Sequence, residues 1–272
     1  MAGGMVLGQF TASCDTTCFD EHGADPRSDE KGRILNDDTH AYEGREFEAA
    51  ANLVNYYNWI TAYFQPYLRG SGVEIGAGIG TYSQYLRPFF STLDLVEPSP
   101  TQRNLLAQRF HSDENVYAFS ETIDSYRQRT GDKSRDSICM VNVLEHIEND
   151  HATLSDLSKM LKMDGHLCIF VPALPVLYSR LDKIFGHHRR YTRPELVRKV
   201  SGAGLKIVTC KYMDFAGIFA WGLINTLGRS TDLNPRAMQV YDRCVIPVTR
   251  VLESVVPAPI GKSLILIAQK VA

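Results

Sequence analysis

Three stretches of this chain carry residues whose types and spacing could do chemistry. The first is Val73-Glu74-Ile75-Gly76-Ala77-Gly78-Ile79-Gly80-Thr81, an apolar strand that runs into a glycine-rich turn and then a helix. Glycines let the backbone turn sharply and let a ligand approach with no Cβ in the way, and a helix start offers free N–H groups to a polar ligand. Glu74 ends the strand, where a cationic ligand group could sit. Glu97, 17 positions after Gly80 at the end of the next strand, is placed to meet ribose hydroxyls. The second stretch is Asn142-Val143-Leu144-Glu145-His146-Ile147, and the third is His187-His188-Arg189-Arg190-Tyr191. Imidazole and phenol can move a proton, and arginines can hold a carboxylate or phosphate. Plain structural roles compete with each of these. The glycines can form a simple turn, His146 can fasten a loop to the next helix, and the arginines can pair with Asp182 or Glu195.

The elements that position these residues follow from hydrophobic periodicity. Apolar positions Phe47, Ala50, Ala51, Val54, Tyr57, Ile60 and Phe64 recur at three and four, so residues 43–66 read as an amphipathic helix stopping near Pro66. Strands are expected at 72–76, 91–97, 115–119, 136–143, 165–172, 205–212 and 263–271. Helices are expected at 82–90, 101–111, 151–163 and from a capping box at Thr192–Glu195 to about 201. Strands alternating with helices give a mostly parallel sheet covered on both faces. Residues 213–262 form an insertion between the last two strands. An apolar piece at 215–228 is followed by Met238, Tyr241, Val245, Val248, Val251, Leu252 and Val255 on one helical side. That length is too great for a structureless loop. The insertion is expected to pack on the sheet or to roof an apolar pocket, with Phe215 and Trp221 against a substrate. Residues 1–42, polar and acidic, read as an arm or lid on a domain spanning 43–272.

Composition narrows the class. Lys and Arg total 29 against 31 Asp and Glu in 272 residues, so no whole-chain basic field exists to hold nucleic acid. The N-terminus lacks the apolar core of a secretory signal, and no apolar run reaches the length of a membrane span, which points to the cytoplasm. The six cysteines do not form a disulfide framework. Cys139, Cys168 and Cys210 sit in strand-like runs as small buried hydrophobes, and Cys14, Cys18 and His22 lack a fourth partner for zinc. Partners are expected to be a small-molecule substrate, with a homodimer left open.

Spacing bears on which nucleotide carrier the glycine turn could hold. A dinucleotide fingerprint starting at Gly76 needs glycine at 81, where Thr81 stands, which disfavours a nicotinamide oxidoreductase. The pattern E-x-G-x-G-x-G from Glu74 resembles motif I of the class I S-adenosylmethionine-dependent methyltransferases. The resemblance continues through Glu97-Pro98-Ser99-Pro100, through Asn142–Ile147, and into the last two strands. It covers about 55–272 and implies a Rossmann-like α/β fold, a seven-stranded sheet with its last strand antiparallel. It also implies S-adenosylmethionine as cofactor. By resemblance, Gly76, Ala77, Gly78 and Gly80 line the methionine moiety, and Glu97, followed by Pro98, takes the ribose. Ser120, Glu121 and Thr122 stand near adenine, Asn142 and Val143 near the sulfonium, and Tyr56 and Tyr57 close the pocket.

Asn142 followed by Val143 and Leu144 departs from the pattern of enzymes that methylate amino groups of adenine or glutamine. No carboxylate cluster of the catechol type is visible, so no metal is expected. His146, His188 and Tyr191 are the catalytic candidates; His187 and Arg190 are candidates for holding the acceptor. A small, partly apolar metabolite is the expected acceptor. A lipid-linked or glycolipid acceptor and a non-catalytic nucleotide-binding scaffold are the alternatives.

Overall fold

The computed structural model describes residues 53–226 and 234–271, without the side chains of 223–226, all within a unit spanning Glu43–Ala272. Residues 1–42, expected as an arm or lid, residues 43–52 of the expected first helix, and Cys14, Cys18 and His22 lie outside the described residues. Seven strands form one sheet in the order β3-β2-β1-β4-β5-β7-β6. They are β1 (Ser71–Ile75), β2 (Thr92–Val96), β3 (Val116–Phe119), β4 (Arg135–Val141), β5 (Leu161–Pro172), β6 (Leu205–Met213) and β7 (Ser263–Lys270). Only β7 runs antiparallel to its neighbours, β5 and β6. The remaining pairs are parallel.

Among the described residues, ten α-helices connect and cover the strands. They are α1 (Val54–Phe64), α2 (Ser83–Leu86), α3 (Pro100–Arg109), α4 (Ile123–Thr130), α5 (Asp150–Met160), α6 (Arg180–Ile184), α7 (Arg193–Gly202), α8 (Phe215–Thr226), α9 (Pro235–Val240) and α10 (Ile246–Val255). Each central strand feeds apolar side chains to both faces, as its unbroken apolar sequence requires. In β5 and β7, Leu167, Ile169, Leu264 and Leu266 join one core with Leu154 and Leu157 of α5 and Leu196 of α7. Their alternates Cys168, Phe170, Ile265 and Ile267 join the other with Trp59, Ile60 and Phe64 of α1. Between β1 and β4 the strand order reverses, so the connections leave to opposite sides and open a crevice at the strands' carboxyl ends.

The structure departs from the sequence expectations in three places. Helices α4 and α6 were not anticipated. Both are short and polar, and both are set by their starts: Thr122 accepts the Ser125 N–H, and Ser179 with Asp182 forms a capping box. The helix expected to run to 163 ends at Met160, and Leu161, equally apolar, turns extended to pair with Arg135. The third departure is α10. Its Val248, Val251, Leu252 and Val255 point outward, while Asp242 just before it and Thr249 within it point inward. The reason is a capping contact. Leu53, at the start of α1, offers no side-chain cap, and the Asp242 carboxylate accepts the N–H groups of Asn55 (3.0 Å) and Tyr56 (2.8 Å) instead.

Candidate active site

The glycine turn after β1 holds three left-handed backbone positions, Gly76 (φ 70°), Gly78 (φ 55°) and Gly80 (φ 81°). The N–H groups of Gly76 and Ala77 donate to the Val96 carbonyl at 2.8 and 3.2 Å, which ties the turn to the end of β2. A Cβ on Gly76 would stand 2.4 Å from a methyl of Val143, so glycine is what lets the loops after β1 and β4 approach. Glu97 is buried beneath this turn. One carboxylate oxygen accepts the Gly78 N–H and the other the Ser99 N–H, both at 2.9 Å. Glu74 is buried next to it. Burial pushes its carboxyl up to about 8, the Ser83 hydroxyl that donates to it works against this, and the nearby Glu97 adds to it.

These groups border one cavity of about 830 Å³ at the carboxyl ends of the strands. Tyr57, Glu74, Gly76, Ala77, Gly78, Glu97, Pro98, Glu121, Thr122, Asn142 and Val143 line it. The chemistry of this donor set fits S-adenosylmethionine. The buried carboxyl of Glu74 would meet an ammonium group. The carboxylate of Glu97 would meet a diol. The glycine backbone lies open to the amino-acid moiety.

The same cavity is also lined by Tyr56, His146, Phe170, Phe185, His187, Arg190, Trp221, Met238 and Lys262. The insertion therefore contributes Trp221 and Met238 to the wall. Arg190 is buried, donates from Nε to Asp182 at 2.8 Å, and lies 4.6 Å from the Trp221 ring centre. The Trp221 indole N–H donates to the Leu177 carbonyl at 3.0 Å. Burial works against the Asp182 anion, but hydrogen bonds from His187 and Arg190 hold its carboxyl below the usual range. Lys262 pairs with buried Asp214 at 3.0 Å and lies 5.0 Å from the ring of Tyr56. Tyr56 in turn shares a hydrogen bond with Ser263. Burial and neighbouring His187 press the His146 pKa down to about 4, so its imidazole is neutral at pH 7.

Five residues named from sequence do not line the cavity. Tyr191 is fully buried, with its hydroxyl on the Leu144 carbonyl (3.2 Å) and the Asp150 carboxylate (2.9 Å). His188 is exposed, and its backbone N–H donates to the Glu145 carbonyl. Ser120 is exposed, and its hydroxyl donates to the Pro98 carbonyl. Phe215 is exposed and packs edge-on against Phe219. At Gly80 a Cβ would meet Leu106 and Phe110 at 2.8 Å, so this glycine serves helix packing. Arg189 holds Asp150 at 2.9 Å rather than a ligand. Sequence reasoning missed Lys262, Ser263 and Met238, which line the cavity, and the part of Glu145, which does not line it, whereas Asp182 pairs with Arg190 as the sequence allowed. The Gly-Lys-Ser step into β7 was the available signal for Lys262.

Residues 42–210 match the family model described as a methyltransferase domain. No curated protein matches the chain. Among solved structures, the chain resembles a candidate sarcosine dimethylglycine methyltransferase from Galdieria sulphuraria (14% identity, TM-score 0.56, 80% of this chain and 86% of that one). It also resembles the YcgJ protein of Bacillus subtilis (16%, 0.55, 79% and 99%). A third likeness is to a geranyl diphosphate methyltransferase solved with S-adenosylmethionine (13%, 0.55, 78% and 84%). At such identities the likeness is one of fold, and strand order, glycine turn and paired carboxylates agree with it. The chain belongs to the methyltransferase-domain family and is a class I S-adenosylmethionine-dependent methyltransferase.

Proposed function

We propose that this enzyme methylates a small, partly apolar metabolite bearing one polar group, in the cytoplasm. The observation that carries the proposal is the composition of the cavity beyond the cofactor residues. Tyr56, Phe170, Trp221 and Met238 supply an apolar wall, and His146, His187, Arg190 and Lys262 supply a few convergent polar groups. Apolar walls with few polar groups suit orientation of a small molecule.

S-adenosylmethionine supplies a methyl group already activated by its sulfonium. What remains for the chain is to align the acceptor and exclude water. Trp221 and Phe170 would hold the acceptor's apolar part. His146 and His187, on adjoining loops, would face its polar group, and the neutral His146 imidazole would accept a hydrogen bond from it. Arg190 and Lys262 already answer Asp182 and Asp214, so they shape the pocket and its field more than they offer an empty anion site.

A lipid-linked acceptor is the second reading. It is favoured by the outward apolar side of α10 and by exposed Val176 and Phe219, which stand near wall-forming residues in sequence. Among the described residues no helix is long and apolar enough to cross a membrane. A screen with methyl-labelled donor tests both readings, pairing water-soluble metabolites with detergent-dispersed isoprenoid-linked sugars. Label in a soluble metabolite supports the first reading, and label only in the lipid fraction supports the second.

A further inference from the structure

We propose that Glu145, His146 and His187 bind a divalent transition-metal ion at the acceptor end of the cavity. Each offers one donor atom, and the three atoms lie within 4.8 Å of one another. The residues come from two separate loops, one after β4 and one after α6, so the fold creates a cluster that no local spacing announces.

The independent sign of a ligand is Glu145. Its side chain is fully buried, yet no hydrogen bond of acceptable geometry reaches either carboxylate oxygen. A buried carboxyl without partners is costly and calls for a bound cation or a shared proton.

His187 is prepared for coordination. Its Nδ1 meets the Asp182 carboxylate at 2.9 Å. Asp182 is itself fixed by the Ser179 N–H (2.8 Å), the Ser179 hydroxyl (3.0 Å) and Arg190 Nε (2.8 Å). That leaves Nε2 on the far side of the ring, 4.0 Å from Glu145 Oε1. A carboxylate that orients a histidine through its remote nitrogen is the usual support of a metal ligand. The His146 ring stands edge-on to that of His187, with centres 4.7 Å apart.

His146 and His187 line the cavity and Glu145 does not. An ion held by the three would sit at the wall with its remaining position open to the acceptor. Two imidazoles and one carboxylate with an open position suit zinc and its first-row neighbours better than magnesium or calcium. An acceptor oxygen taking that position would be held in place and would give its proton to water more readily. Only this last consequence rests on the methyl-transfer reading. The rival account is a proton shared between Glu145 and His187, with no metal affinity.

The untagged full chain, stripped with chelator and dialysed, is titrated with Co²⁺ while visible ligand-field absorption is followed. The expected result is one Co²⁺ per chain, displaced by Zn²⁺. Glu145→Gln and His187→Ala should each abolish the bands, and Asp182→Asn should weaken binding roughly 10- to 100-fold. S-adenosylhomocysteine binding, measured on the same samples, should persist in all three, which separates failure of the metal site from failure of the cofactor site. Should His187→Ala not fold, His146→Gln reads the same site. Absent bands in the parent chain, or bands unchanged by these substitutions, overturn the proposal.

Discussion

Glu74 shows how one residue's surroundings set its chemistry. Its carboxyl titrates near 8 rather than near 4.5 because burial penalises the anion. The folded state therefore holds a proton that the unfolded chain releases, and this group's contribution to stability falls as pH rises from about 4.5 through about 8. Glu74→Gln should remove that dependence. Denaturant melts of parent and variant from pH 5 to 9 should diverge by up to about 1.4 kcal/mol per pH unit, with the variant relatively more stable at the alkaline end. Parallel curves would mean that Glu74 ionises normally. Tyr191 makes the opposite case. The sequence offered it as a proton carrier, but its hydroxyl serves Asp150, which also binds Lys199 at 2.7 Å and Arg189 at 2.9 Å. Tyr191→Phe should cost about 1–3 kcal/mol of stability, the range for a hydrogen bond to a charged group, and leave turnover per folded molecule unchanged. A fall in turnover of about two decades or more without a change in melting would return the phenol to the chemistry.

At the scale of elements, the strands were legible and the short helices were not. Strands such as β4 and β7 announce themselves through apolar runs, because both faces of this sheet are buried. Helices α4 and α6 carry too few apolar residues for a period to show, and capping side chains set their starts. The α10 segment misled for a related reason. Its apolar side was legible, but its orientation was decided by Asp242, 186 residues from the Tyr56 N–H that it caps. That contact ties the insertion to α1, which carries Tyr56 and Tyr57 into the cavity wall. Asp242→Ala should cost about 1–2 kcal/mol, as loss of a helix cap does, and should weaken S-adenosylhomocysteine binding by loosening α1. Calorimetric unfolding with and without S-adenosylhomocysteine checks both effects. A destabilised variant with unchanged affinity would confine Asp242 to folding.

For the molecule as a whole, the glycine turn and its two carboxylates were legible, and the rest of the cavity wall was legible only in part. The glycine turn, Glu74 and Glu97 lie within 24 residues and keep a spacing that the sheet itself imposes. The acceptor half gathers residues from the loops after β4 and β5, from α8 and from the start of β7, and their convergence exists only in the folded chain. Local spacing offered His187, His188, Arg190 and Tyr191 alike, of which only His187 and Arg190 line the cavity, and it gave no sign that Glu145 would meet His187.

The central claim is that the turn after β1 and the carboxylate at the end of β2 together hold S-adenosylmethionine. Isothermal titration with S-adenosylhomocysteine tests it most directly, comparing the parent chain with Glu97→Ala and monitoring the fold by circular dichroism. The account predicts one molecule bound per chain, and an affinity loss of roughly one to two decades on removal of charge-assisted hydrogen bonds to the ribose. No binding by the folded parent chain, or equal affinity in a folded Glu97→Ala variant, would contradict it.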